Sequence, residues 1–357
     1  MGYGLGVETL ELGTWNLELE TKKNAKNMNY TIGIDIGGTN TDIGLVREDG
    51  KIVAKRNIPT NQYTEVDPYV RDIMSRIEEL LGYEGGVEVD GIGIGAPNGN
   101  FYTNCIENAP NLTIKGRLDF GEAFGKYTKL PVVLSNDANA AAYGELIYGG
   151  ARGGSGKKRL DNFIMFTLGT GVGSGIVLDG KLVHGSTGCA GELGHSILIP
   201  DGRPCSCGRK GCLETYTSAR GIVQTYRELR AENPYPEQIG EGWIGPEVPD
   251  SEITCKMIGD AAHKGDPIAL KTWEQTGWWL GIAMANAVTF SAPQALFLMG
   301  GPAQVGEPLL KPLRESFEEH LLNIFQGTCD IRVSELKANE VAILGAAALV
   351  KMKGVER

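Results

Sequence analysis

The chain has no uninterrupted apolar segment near the roughly 20 residues that a membrane-spanning helix needs. Its first 29 residues also lack the basic start, the apolar stretch and the small-residue cleavage site of a secretory signal. We therefore expect a cytoplasmic protein that does not act at a membrane. Cysteines of cytoplasmic proteins are usually thiols or metal ligands and seldom form disulfides. The chain has seven cysteines, an odd number that could not all be paired within it.

Positive charge is in the minority, with a formal net charge of -10 and no concentrated basic patch. An acidic surface repels phosphate backbones, so we expect no binding of nucleic acid. A hydrophobic fraction of 41% and a charged fraction of 22% are typical of globular proteins. At 357 residues the chain is long for one core, which favours two domains. We expect residues 1–29 to be a poorly ordered N-terminal extension, because Met28 directly precedes the first convincing strand.

Alternating apolar residues predict that the folded part begins with a meander of three antiparallel strands. The predicted elements are strands over 30–36, 43–46 and 51–58, a helix over 68–82, strands over 91–96 and 130–135, and a helix over about 138–147. Asp49 and Gly50 supply a hairpin turn, and the last helix is favoured by its alanines.

The pattern then partly repeats. We predict strands over 163–168, 175–178 and 295–299 and a closing helix over 341–351, with long helices in the later part of the chain. Mixed strands followed by helices, occurring twice, favour an α/β fold of two domains with a cleft between them. We expect the domains to be residues 30–148 and 149–340, with a helix of about 341–357 packing back on the first. Three tryptophans on the later helices are expected to lie in the core or an interface: Trp273, Trp278 and Trp279.

Two glycine turns follow strands in corresponding places, at Gly37-Gly38 and at 169–171. Such turns let backbone N–H groups approach phosphate oxygens, although a hairpin also needs glycine for its own sake. The chain has no Walker A loop, because Lys158 stands where Ser or Thr is required. A dinucleotide loop also fails, because Ser174 stands at the sixth place and a strand follows. Any nucleotide is therefore held by another arrangement.

The strongest local signal is three cysteines within eight residues on a glycine-rich loop, at 205, 207 and 212. Thiolates at this spacing suit tetrahedral zinc, and we predict His195 as the fourth ligand because it is near in sequence, with His184 as the alternative. A loop over 195–212 with four protein ligands indicates a closed, structural site. Surface thiols or a redox pair are the competing interpretation. The other four cysteines are expected to pack in the core: Cys105, Cys189, Cys255 and Cys329.

Asn136 and Asp137 lie at a predicted strand-to-helix junction. Capping of the helix alone would explain Asp137. Asn136 could hydrogen-bond a polyhydroxylated ligand, since clefts of α/β proteins bind ligands at the carboxyl ends of strands. Glu192 and Glu214 flank the metal loop, which would aim them. An exposed Asp has a pKa of about 3.9, so we expect Asp137 to need no large tuning.

Together these residues resemble the ROK family (repressors, open reading frames and sugar kinases), in the actin-like superfamily of phosphotransferases. The resemblance covers residues 30–357, and its most specific block runs from Glu192 through His195 to Glu214. Asp35-Ile-Gly-Gly-Thr-Asn40 and Leu168-Gly-Thr-Gly-Val-Gly173 match closely too. The resemblance implies two actin-like, ribonuclease H-like domains and an ATP-dependent kinase that phosphorylates the primary hydroxyl of a hexose.

The resemblance also assigns residues. Asp137 would be the catalytic base, and the sugar would be bound by Asn111, Asn136, Asp137, Glu192, His195 and Glu214. The ATP phosphates would lie on Gly37, Gly38, Thr39, Gly169, Thr170 and Gly171, with Asp35 near magnesium and Gly300 and Gly301 against the adenosine. Structural zinc would lie on His195, Cys205, Cys207 and Cys212. Asn98 separates Pro97 from Gly99, where many members have proline followed directly by glycine, so Gly95 and Asn98 are only provisional members of the pocket.

Glucose is the expected acceptor, with mannose, N-acetylated hexosamines and fructose as alternatives because related pockets use similar residue types. A sugar-responsive transcriptional repressor of the same family is a competing class, but only 29 residues precede the first strand and they show no convincing pair of helices. A catalytically silent sugar-binding module is a third class, disfavoured by Asp137 and both glycine turns. We expect a homo-oligomer, with a dimer favoured.

Overall fold

The structure is a computed structural model that describes residues 28–83, 87–154, 156–233 and 239–352. The extension predicted over 1–29 lies outside these residues except for its last two positions. Within the described ranges, no helix is long and apolar enough to cross a membrane.

The first half of the chain forms a five-stranded sheet, three helices and a small three-stranded sheet. Its strands are β1 (Tyr30–Ile36), β2 (Asn40–Arg47), β3 (Ile52–Pro59), β4 (Val89–Ala96), β5 (Gly99–Asn100), β6 (Cys105–Glu107), β7 (Arg117–Asp119) and β8 (Val132–Asn136). Its helices are α1 (Val66–Tyr83), α2 (Phe120–Gly125) and α3 (Asp137–Ile147). The predicted meander is confirmed, since β1, β2 and β3 pair antiparallel in succession.

The second half forms another five-stranded sheet and most of the helices. Its strands are β9 (Phe163–Leu168), β10 (Val172–Leu178), β11 (Lys181–Leu182), β12 (Ala295–Met299) and β13 (Asp330–Val333). Its helices are α4 (Glu214–Thr217), α5 (Ala219–Glu232), α6 (Cys255–His263), α7 (Pro267–Ser291), α8 (Glu307–His320) and α9 (Val341–Leu349).

Both large sheets have the same strand order. The first is β3-β2-β1-β4-β8 and the second is β11-β10-β9-β12-β13. In each, an antiparallel hairpin is extended by strands that run parallel to its first member. The carboxyl ends of those parallel strands and the glycine turns of the two hairpins therefore lie at the same edge of each sheet. This is the edge at which α/β sheets bind ligands.

Helix α9, near the end of the chain, packs on the first sheet. A side chain at Gly33 of β1 or at Gly93 of β4 would overlap the backbone of α9. Helix α3 crosses α9 equally closely at Gly144 and Gly345, where a Cβ at Gly144 would lie 2.8 Å from the partner Cα. Glycine is required at these positions because the backbones are in contact, and the helix is therefore held against the sheet that supplies Asp35.

Glu145 ties together the two segments through which the chain passes between the sheets. Its buried carboxylate accepts one hydrogen bond from the backbone N–H of Gly150, at 2.6 Å, and one from the hydroxyl of Ser334, also at 2.6 Å. Burial raises the pKa of this carboxyl. Gly150 follows α3 and Ser334 follows β13. The side chain of Glu145 therefore holds both of the segments that connect the two sheets.

Two expectations on individual residues need correction. Trp273 is buried as expected, but Trp278 is partly exposed on the outer face of α7. Cys189 is exposed, because it lies in an irregular loop after β11 and not in a regular element of the core.

Candidate active site

The first glycine turn joins β1 to β2. Gly37 donates its backbone N–H to the carbonyl of Asn40, at 2.9 Å, which closes the turn. Gly38 packs directly on the loop that carries Asn111, since a Cβ at Gly38 would lie 2.6 Å from the Asn111 carbonyl oxygen. Thr39 is exposed beside them. The turn is therefore in contact with a predicted sugar-binding segment.

The second glycine turn joins β9 to β10 and is braced by α4. Gly169 donates its N–H to the carbonyl of Gly171, at 2.9 Å. The Glu214 carboxylate accepts the N–H of Val172, at 3.0 Å, and a side chain at Gly171 would collide with that carboxylate. Ala219, at the start of α5, donates its N–H to the carbonyl of Gly169. The turn and Glu214 are thus fixed to each other.

Asn136 and Asp137 lie where β8 ends and α3 begins. Asn136 is the cap, since its Oδ1 accepts the N–H of Ala138, at 2.9 Å, and that of Asn139, at 3.4 Å. The capping role considered for Asp137 therefore belongs to its neighbour. Asp137 keeps one carboxylate oxygen on the N–H of Ala138, at 2.8 Å, and its side chain is open to the cleft. Helix start and strand end together fix this carboxylate at the floor of the cleft.

Two carboxyl groups on that floor have raised pKa values. Desolvation raises the pKa of Asp35 to about 7, with a further contribution from the negative charge of Asp137. Desolvation also raises the pKa of Asp137, which the helix N-terminal hydrogen bond only partly offsets. The side chain of Asp137 contacts solvent in the cleft, but protein surrounds it on the other sides. The resulting desolvation raises the pKa of its carboxyl group. The expectation that its pKa is untuned is wrong for this reason.

One cavity of about 490 Å³ brings the predicted sugar-binding residues together. It is lined by Asn111, Asn136, Asp137, Glu192, His195 and Glu214, and also by Asn98, Gly169, Thr170, Gly171 and Gly300. Desolvation raises the pKa of Glu192, and the carboxylates of Asp137 and Glu214 act in the same direction. Carboxylates and amides from five separate segments of the chain thus converge on one space, which the chain order alone does not reveal.

The four predicted metal ligands form one cluster. Atoms of His195, Cys205, Cys207 and Cys212 all lie within 4.8 Å of one another. The Sγ of Cys205 lies 3.6 Å from Nδ1 of His195, and the Sγ atoms of Cys207 and Cys212 are also 3.6 Å apart. A tetrahedral zinc ion with Zn–S of about 2.3 Å separates two sulfurs by about 3.8 Å, so the spacing fits. His184, the alternative, is buried elsewhere and stacks on Phe101.

A second cavity of about 580 Å³ adjoins the first and shares Gly169 and Thr170 with it. Gly301 lines this cavity and Gly300 lines the first one, so the two residues expected beside the adenosine lie at adjoining cavities. Sequence reasoning missed its other walls, which come from α6, α7 and the segment after β12: Lys256, Gly259, Asp260, His263, Trp273 and Gln304. Ordinary helix positions carry no spacing signal that could have found them.

Not every predicted residue lines these two cavities. Gly37, Gly38 and Thr39 do not, and Asp35 lines a smaller cavity of about 210 Å³ that it shares with Asp137 and Gly95. Another cavity, of about 600 Å³, lies beside Arg159 and Lys351 and includes none of the predicted residues. The candidate site is therefore distinguished by its converging polar groups and not by its volume.

Two sheets of equal strand order, with glycine turns and carboxylates facing one cleft, define a protein of the actin-like ATPase fold. Residues 31–353 match the model of the ROK family. The chain belongs to the ROK family, which confirms the predicted family and fold class.

Known proteins that resemble the chain include enzymes and a regulator. A glucokinase of Streptomyces coelicolor is 36% identical over 332 residues, which are 91% of this chain and 98% of that protein. A ROK family glucokinase from Streptomyces griseus, solved with glucose and AMPPNP, superposes with a TM-score of 0.72 at 32% identity over 90% of this chain and 99% of that one. A ROK family transcriptional regulator, a homologue of the E. coli MLC protein, superposes with a TM-score of 0.78 at 27% identity, but only 78% of it is covered.

Proposed function

We propose that this protein is an ATP-dependent hexose kinase that transfers the γ-phosphoryl group to the primary 6-hydroxyl of glucose. The observation that carries the proposal is the pair of adjoining cavities that share the second glycine turn, one lined by carboxylates and amides and the other by α6 and α7. The Streptomyces griseus glucokinase, which holds glucose with AMPPNP, supports glucose as the acceptor.

Asp137 is the catalytic base. It accepts the proton of the 6-hydroxyl as that oxygen attacks the γ-phosphorus, the bond to the β-phosphate oxygen breaks, and ADP leaves. A raised pKa suits this role, because a carboxylate that binds a proton more tightly is a stronger base. One oxygen of Asp137 accepts the N–H of Ala138, which holds the carboxyl group where it lines the sugar cavity.

The sugar hydroxyls are bound by Asn111, Asn136, Glu192, His195 and Glu214. Asn136 uses its Oδ1 to cap α3, which leaves its amide N–H groups for the sugar. The Glu214 carboxylate is held by the N–H of Val172, so it presents a fixed acceptor. Fixed hydrogen-bonding groups discriminate sugars by hydroxyl position more strongly than apolar walls do.

The ATP phosphates lie on the two glycine turns, at Gly37, Gly38, Thr39 and at Gly169, Thr170, Gly171, and the adenosine lies against Gly300 and Gly301. Magnesium, when bound, neutralises charge on the transferred phosphate. Asp35 is the carboxylate near that ion. A nearby cation favours the ionised form, so the raised pKa of Asp35 applies to the ligand-free protein.

Zinc on His195, Cys205, Cys207 and Cys212 has a structural role. The ligand spacing supports this, as does Arg209, whose hydrogen bonds lower the pKa of Cys207 and so favour its thiolate. Arg209 also donates to the carbonyl of His195, at 2.7 Å, which fixes the loop beside the cleft. The cluster positions His195 and Glu214 and takes no part in phosphoryl transfer.

Residues 30–148 and 149–340 act as two domains, with the helix after 341 packed on the first. Closure of the cleft between them would exclude water and so suppress hydrolysis of ATP. We expect the protein to act in the cytoplasm. It forms a homodimer, which is supported by an apolar groove that includes Ile197 and Phe290, the latter 90% exposed.

Mannose, N-acetylated hexosamines and fructose are the alternative acceptors. A coupled ATP assay across these sugars and glucose tests the proposal, and we expect a clear preference for glucose. The regulator function has weaker support, because the regulator is less similar in sequence and less completely covered than the glucokinases. Absence of phosphorylation with every hexose would contradict the kinase assignment.

A further inference from the structure

The strand that leads into the sugar cavity does not pass directly from Pro97 to glycine. Asn98 lies between Pro97 and Gly99 and has a φ of 53°, in the left-handed region. Gly99 cannot be replaced, since a Cβ there would overlap the Ser135 carbonyl of β8. Asn98 therefore occupies a turn of fixed shape whose next residue is packed on the neighbouring strand.

The side chain of Asn98 is bound to a second segment of the chain. Its Nδ2 donates to the carbonyl of Glu107, at 3.0 Å, and to that of Asn108, at 3.4 Å. The backbone carbonyl of Asn98 accepts the N–H of Glu107, at 3.1 Å. Three hydrogen bonds thus join Asn98 to residues 107–108, at the end of β6.

That second segment leads directly to a proposed sugar ligand. Asn108 has a φ of 51° and donates its N–H to the carbonyl of Gly116, at 3.0 Å, so the loop turns at a defined point. Three residues later Asn111 lines the sugar cavity, with its carbonyl packed on Gly38 of the first glycine turn. The loop from 108 to 111 is therefore anchored by Asn98 at one end and by Gly38 at the other.

We propose that Asn98 is a positioning residue that sets the place of Asn111 in the sugar site. The inference rests on the proposed function, and it deepens it by assigning to Asn98 a role that the proposed function leaves open. Loss of the Asn98 side-chain amide would remove its hydrogen bonds to the carbonyls of Glu107 and Asn108, while the backbone hydrogen bond of Asn108 to Gly116 would remain. The sugar would then bind less tightly, and the phosphoryl-transfer step, which depends on Asp137, would change little.

Asn104 provides a matched control. It also has a positive φ, of 50°, and it also joins two segments, since its Nδ2 donates to Val132 and its Oδ1 accepts the N–H of Leu134. Unlike Asn98 it does not line the sugar cavity. Both Asn98→Gly and Asn104→Gly keep a backbone that tolerates the left-handed conformation and remove side-chain hydrogen bonds.

The test is a double-mutant cycle on glucose KM, kcat and calorimetric glucose affinity, with Asn98→Gly, Asn111→Ala and the double variant. We expect Asn98→Gly to raise KM about tenfold with kcat within about twofold, and Asn104→Gly to leave KM unchanged. If Asn98 acts through Asn111, the double variant will have the KM of Asn111→Ala alone.

Additive effects of the two substitutions, or an unchanged KM in Asn98→Gly, would overturn the proposal. So would an equal rise in KM in Asn104→Gly, because the effect would then reflect general loosening of the small sheet. Asn98→Asp should also raise KM, since its carboxylate would face two carbonyl oxygens. The proposed function is tested separately, by assaying the wild-type protein with the panel of hexoses. If no phosphoryl transfer occurs, the double-mutant cycle can still be completed by measuring, with calorimetry, the affinity of each variant for a hexose that binds.

Discussion

Nδ1 of His195 lies 3.6 Å from the sulfur of Cys205, while the same histidine lines the cavity that contains Asp137. One imidazole therefore belongs to the cysteine–histidine cluster and to the wall of the cleft. In the proposed site, the order of the cysteine loop would set the position of His195 relative to the sugar. Second-sphere contacts of this kind orient ligands in many metal proteins.

Zinc removal should consequently weaken sugar binding. We expect Cys212→Ser to lower the zinc content from about one ion per chain to near zero and to raise glucose KM by at least about tenfold. Elemental analysis and initial-rate kinetics measure the two effects. Cys189→Ser is the control, because Cys189 is exposed and outside the cluster. A metal-free protein with normal KM would show that the loop has another purpose.

Asp137→Asn should abolish most of the activity without abolishing sugar binding. Loss of a general base costs about 10²–10⁴ in rate, and the amide cannot accept the proton. Calorimetry should still detect glucose, because the backbone at the start of α3 is capped by Asn136. Asp179→Asn, in the distant hairpin after β10, is the control and should be fully active. Full activity in Asp137→Asn would remove the proposed mechanism.

The stability of the ligand-free protein should depend on Asp35. Folding raises the pKa of this carboxyl to about 7, so the folded state binds its proton more tightly than the unfolded state does. The resulting stabilisation is present below about pH 4 and is lost as the pH rises to about 7. Asp35→Asn removes this dependence, and at pH 8 we expect its Tm to exceed that of the wild type by about 3–6 °C.

The comparison is made by thermal unfolding without nucleotide or magnesium, at pH 5 and pH 8. The difference between variant and wild type should be clearly larger at pH 8. A difference that is equal at both values would mean that Asp35 titrates normally in the folded protein.

Adjacent glycines after β12 should respond oppositely to alanine. Gly300 has a φ of 106°, and a Cβ there would overlap the backbone of Leu168, so Gly300→Ala should lower stability by several kcal/mol, on the order of 3, or prevent folding. Gly301 has an ordinary helical φ of -55° and no atom within 4 Å of a built Cβ. Gly301→Ala should fold as the wild type does and change mainly the KM for ATP.

Unfolding curves and ATP kinetics for the two variants check this contrast. Equal stability in both would contradict the close approach of Gly300 to the second glycine turn. An unchanged KM for ATP in Gly301→Ala, at normal stability, would place the adenosine elsewhere.

Much of the fold was predictable because its signals are local. Alternation of apolar residues predicted β1, a continuous apolar run predicted β9, and alanine content predicted α3. Strands β5, β6, β7, β11 and β13 were missed, since strands of two to four residues are too short to show a period. The cysteine–histidine cluster was predictable for the same local reason, since three of its four members lie within eight residues.

The sequence alone therefore determined the repeated strand pattern, the family and the three cysteines of the cluster, which all depend on neighbours along the chain. Only the tertiary structure decided that Asn111, Asp137 and Glu214 share one cavity and that Lys256 and Trp273 line the next. It also decided that Asp35 and Asp137 have raised pKa values, because desolvation depends on how much protein surrounds a group from every direction. The sequence does not indicate which distant residues lie close together, because their proximity depends on how the sheets and helices pack.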